Sequence, residues 1–154
     1  MKRNLVIGVV LIVFSAFVVQ SCEQSGCGNA HTSSYNAHES QKMTGNCMGC
    51  HNPNGGGSGC FRVGGTAFDS IPGDSAVRNA VVKLYTQPNG GGELVVTLQV
   101  DQSGNFYTTS PVSFANGLYP AITSTTGTRY MPSAAFTGAC NSCHGVTNAN
   151  LWAD

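Results

Sequence analysis

The chain has 154 residues, enough for one domain with attached pieces and too few for several. Twenty glycines and a charged fraction of only 9% argue against a helical bundle, and no basic run offers a nucleic-acid surface. The formal charge is zero, but from Cys22 onward five cations face seven acids, a net of −2.

Residues 1–21 read as an export leader. Lys2 and Arg3 precede an apolar run over 5–19, and Gln20 and Ser21 lead into Cys22. A run of 15 residues suits a leader core and is short of the roughly 20 that span a bilayer. Val19-Gln20-Ser21-Cys22 resembles a bacterial lipobox, which implies that Cys22 is lipidated and becomes the first residue of the mature chain. Cleavage without lipid and retention as a membrane anchor are the other two readings. Residues 22–36 are polar and small and read as a tether between lipid and fold.

The segment 37–59 contains T-G-N-C-M-G-C-H at 44–51 and ends in a glycine-rich loop. Cys47, Cys50 and His51 make C-x-x-C-H, the attachment signature of c-type haem. Two thiols at this spacing can add to the two vinyl groups of one porphyrin, and the adjacent imidazole can reach its iron.

From residue 60 to 125 the pattern turns to short β runs separated by turn residues. Strands are expected at 61–68, 80–86, 93–100, 105–109 and 118–123. In the third, Leu94, Val96, Leu98 and Val100 share one face, opposite Thr97 and Gln99. The turn at 89–92 closes one hairpin, and the turn at 101–104 closes another onto Phe106. The predicted fold is mainly β: a small antiparallel β-sandwich flanked by short, loop-rich haem-binding segments.

Residues 126–154 form the second of these segments. They carry T-G-A-C-N-S-C-H at 137–144, so Cys140, Cys143 and His144 repeat the first motif with the same leading Thr-Gly. Two copies predict two covalently attached haem c groups. Zinc is the competing reading, but paired C-x-x-C ligands usually lie about 15–20 residues apart. Here the pairs are separated by a whole β domain, and zinc does not require a His after each pair. A thioredoxin-like motif would need a βαβ context that the pattern lacks.

The stretch 61–125 resembles the carboxypeptidase-regulatory or transthyretin-like β-sandwich family at Val63-Gly64-Gly65-Thr66, at 80–85, at 100–106 and at Gly117-Leu118-Tyr119. That resemblance implies a scaffold without catalytic residues. The flanking motifs resemble those of multihaem c-type cytochromes, and the whole resembles small exported dihaem cytochromes with a β domain between the motifs.

Each iron needs a sixth ligand or an open position. His38 stands nine residues before Cys47, and Met131 stands nine before Cys140, so these two are the expected distal ligands. The alternative is a four-histidine scheme in which His31 replaces Met131. Met43 and Met48 lie too near the first motif to reach a distal face readily. Tyr130, Phe136 and Trp152 are candidates to cover haem edges. Cys27 and Cys60 remain as a possible disulfide, which an exported protein can keep.

The expected function is electron transfer outside the cytoplasm, from a lipid anchor in the periplasm, outer membrane or cell surface. The partners are redox proteins or other copies of the chain. No nucleophile–base constellation is present, and Gly55, Gly56 and Gly57 follow no strand–loop–helix phosphate pattern. The alternatives are a subunit of a conductive filament and a dihaem peroxidase-like enzyme.

Overall fold

The computed structural model describes residues 27–28, 30–36, 45–71 and 75–153. The leader, Cys22, His38 and Met43 lie outside these residues. Among the described residues no helix is long and apolar enough to cross a membrane.

Two sheets build the molecule. One has the order β4 (Asn105–Thr108), β1 (Val63–Phe68), β7 (Leu151–Trp152). The other has the order β3 (Leu94–Gln99), β2 (Val81–Tyr85), β5 (Tyr119–Thr123), β6 (Thr128–Tyr130) and is antiparallel throughout. Val63, Ala67 and Phe106 of the first sheet join Val82, Leu84, Leu98 and Ile122 of the second in one buried cluster. A fully buried side chain of this kind contributes about 1.5–3 kcal/mol. Buried and half-buried residues alternate along β2, so one of its faces packs into this core.

Five expected strands form within two residues of their predicted ends. Three details differ. The turn at 101–104 closes locally, with Gly104 N–H donating to the Asp101 carbonyl at 3.1 Å. It does not make a hairpin, because β3 pairs with β2 while β4 pairs with β1. Gly65 sits opposite Phe106 in that pairing, and the aromatic ring fills the space a side chain on Gly65 would need. Phe106 is thereby drawn across to β1.

The second difference lies in β3. Leu98 and Val100 are buried as expected, but Leu94 is 46% exposed, since β3 is the outer strand and its pairing slips between Leu84 and Tyr85. The third is in the last segment, which supplies two strands too short to show a period. One of them, β7, runs parallel to β1 through Ala67↔Leu151 and Phe68↔Trp152.

The described end of the expected tether is fastened to β4. Thr32 bridges to Thr108, and Ser33 is buried, donating from Oγ to the Gln99 carbonyl and accepting from the Tyr107 N–H. A disulfide joins Cys27 to Cys60 beside it.

Candidate functional site

Both C-x-x-C-H pentapeptides adopt the same local structure. Cys47–Gly49 and Cys140–Ser142 are single 3-10 turns. In each, the N–H groups of the second cysteine and of the histidine donate back to the first cysteine's carbonyl, at 3.2 and 3.0 Å in both copies. Residues three apart in such a turn fall on one side, which places the paired cysteines together.

The histidines are treated alike as well. His51 Nδ1 donates to the Ser58 carbonyl at 2.8 Å, and His144 Nδ1 to the Ala149 carbonyl at 3.0 Å. A carbonyl can only accept, so Nδ1 carries the proton and Nε2 keeps its lone pair. Phe61 lies flat on the His51 ring, with centroids 3.9 Å apart, and Tyr107 lies on Phe61 at 4.4 Å. That stack leaves the edge of the His51 imidazole as its reactive part.

Both turns are mounted on β1. Strand β7 covers its edge only at Ala67 and Phe68, and the second turn takes the rest. Gly64 N–H donates to the Gly138 carbonyl at 2.9 Å, and Thr66 N–H donates to Asn141 Oδ1 at 3.0 Å. A side chain on Gly64 would come within 3.3 Å of Cys47 Cβ, and one on Gly65 within 2.9 Å of Cys140 Cβ. The two glycines therefore admit both turns to the same short stretch of strand. Burial raises the Cys140 thiol to about 12, and the nearby Cys47 thiol adds to the rise. Burial also raises Cys47. Cys50 and Cys143 are exposed.

The second turn borders a mainly apolar cavity of about 520 Å³, within the roughly 300–1,000 Å³ of cofactor sites. Cys140, Cys143 and His144 share its wall with Met131, Tyr130, Phe136 and Trp152. Met131 and His144, expected as two ligands of one iron, thus line one space. His31 does not. It is exposed, with its N–H donating to Thr109 Oγ1 at 2.7 Å, on the side where Thr109 abuts Gly59. Met48 lies within the first turn. Among the described residues, no three His, Cys, Asp or Glu side chains form a group able to hold a metal ion.

Two residues were not singled out by sequence. Arg129 is the only cation in the cavity wall among the described residues, its guanidinium 3.4 Å from the Trp152 ring centroid. Asn141, inside the second turn, is 3% exposed. The only signal for Arg129 was the rarity of cations, and a polar residue at position 141 carries none. No family model, no curated protein and no solved structure matches this chain.

Proposed function

We propose that the chain is an exported, lipid-anchored dihaem c-type cytochrome that carries electrons between redox partners outside the cytoplasm. The observation that carries this reading is the duplicated turn. Each copy pairs two cysteines on one side with a histidine whose Nδ1 is committed to a backbone carbonyl and whose Nε2 is left to bind. One copy borders an apolar cavity of cofactor size.

The residues fit covalent haem. Cys47, Cys50 and His51 would hold one group, and Cys140, Cys143 and His144 the other. His38 and Met131 are the proposed distal ligands. Haem bound in this way supplies one-electron chemistry between ferric and ferrous iron. The chain holds the proximal imidazoles in one tautomer, surrounds the second site with aromatic and aliphatic side chains, and offers Arg129 as a partner for a carboxylate.

Replacing Cys47 and Cys50 by Ala, or Cys140 and Cys143, should each remove one haem equivalent, read by alkaline pyridine spectra and intact mass. A purified protein with no covalent haem and four free thiols would overturn the proposal. A filament subunit is the second reading. It is favoured by the outer strand β3, whose Leu94 and Val95 are 46% and 38% exposed and present an apolar edge.

A further inference from the structure

We infer that Asn141 is a positioning residue that locks the two attachment turns to one another, so that the two groups they hold keep one mutual arrangement and are electronically coupled. The inference rests on the dihaem reading above.

Asn141 lies within the second turn, yet its hydrogen bonds leave that turn. Its Oδ1 accepts from Thr66 N–H at 3.0 Å, and its Nδ2 donates to Thr66 Oγ1 at 3.3 Å and to the Gly45 carbonyl at 3.1 Å. Gly45 lies two residues before the first turn, and Thr66 belongs to the strand that both turns share. One buried amide therefore ties the first turn, β1 and the second turn together. The tie continues inward, because Thr66 Oγ1 donates to Asn105 Oδ1 at 2.9 Å on β4.

The position is not reciprocal. The equivalent residue of the first copy is Met48, which has no amide to offer in return. The turns are also close enough for such a tie to matter, since Cys47 and Cys140 meet consecutive glycines of β1. Buried amides with every group paired hold a single geometry, because a shifted one leaves polar groups unmatched. Two redox groups anchored on such a platform interact: a charge added to one changes the electron affinity of the other, and the effect is mutual.

The test uses the full-length, haem-loaded protein, with haem count measured first. Wild type should carry two haems and show a two-signed circular dichroism couplet in the Soret region, the mark of two coupled chromophores in a fixed orientation. Asn141→Ala should keep both haems, lose most of the couplet amplitude and show a smaller separation between the two reduction steps. Asn141→Asp keeps the acceptor for Thr66 N–H but loses the donor to Gly45. It should show the same loss, and it serves if the Ala variant fails to fold. Thr66→Val removes the Oγ1 contact but leaves the Gly45 tie, so its couplet should survive. A two-haem wild type whose couplet persists in both Asn141 variants overturns the inference alone. Equal loss in Thr66→Val also overturns it, by showing that general loosening is enough. A wild type without two covalent haems overturns the functional reading and this inference with it.

Discussion

His51 and His144 each have one ring nitrogen tied to a backbone carbonyl, and this makes their chemistry specific. The cavity beside His144 holds Met131, whose thioether, as the proposed distal ligand, would favour ferrous iron relative to a second imidazole. Met131→Ala should abolish the weak long-wavelength band of thioether-ligated ferric haem and lower one of the two potentials, leaving the other in place. If the band is absent in wild type and His31→Ala yields a high-spin haem, the four-histidine scheme replaces this one. The buried cysteines make stability depend on pH. Cys140 is raised from an ordinary value of 9.0 to about 12 by burial and then by Cys47, so between those values the unfolded chain gives up its proton first. Fewer protons on the unfolded state mean that stability falls as pH rises through this window. Haem-free protein should therefore lose melting temperature on going from neutral to alkaline pH. Haem-loaded protein, whose thioethers have no proton to lose, should lose less. The C-x-x-C-H residues were legible because their chemistry demands adjacency in sequence. Asn141 and Arg129 were not, because what they contact is distant along the chain.

At the scale of elements, β1 decides where the chemistry can sit. Its Gly64-Gly65 pair forgoes side-chain packing so that Cys47, Cys140 and Phe106 can approach the backbone. Gly65→Ala would place a Cβ within 2.9 Å of Cys140 Cβ. It should cost about 1–3 kcal/mol by overpacking, measured by denaturant unfolding, and should reduce haem at the second motif more than at the first. Equal loading of both motifs in that variant would mean that the close approach does not matter for attachment. Sequence showed the strand and its glycines but not what the glycines admit. The five strands it showed have either an alternating face or clear turns at their ends, as with Lys83 between buried Val82 and Leu84. The sequences of β6 and β7 are three and two residues long, too short for any periodicity, and only pairing with β5 and β1 makes them strands. The turn at 101–104 misled because its local chemistry is that of a hairpin, while the partner of β4 is chosen by Phe106 against Gly65.

For the whole molecule, the carrier reading expects a monodisperse monomer in detergent. Light scattering together with electron microscopy tests this, and long polymers would move the filament reading ahead. Rapid carbon monoxide binding to the reduced protein would instead point to an open iron and to the enzyme reading. The route by which the chain reaches its fold is set by its pairing. The β2–β3 and β5–β6 hairpins can zip up locally, since each joins neighbours in sequence. The strand that carries both turns cannot, because Val63 waits for Thr108 and Ala67 waits for Leu151. Gly45, near the beginning, likewise waits for Asn141 near the end. On the proposed function, the four thiols of the two motifs await attachment in a chain that also makes a disulfide. In an oxidising compartment those thiols compete for wrong partners. The Cys27–Cys60 bridge narrows the choice by withdrawing two cysteines and closing a loop around the first turn. Maturation would thus depend on whether the attachment thiols oxidise before the C-terminal motif arrives, and the Cys27–Cys60 bridge leaves them two fewer cysteines to mispair with.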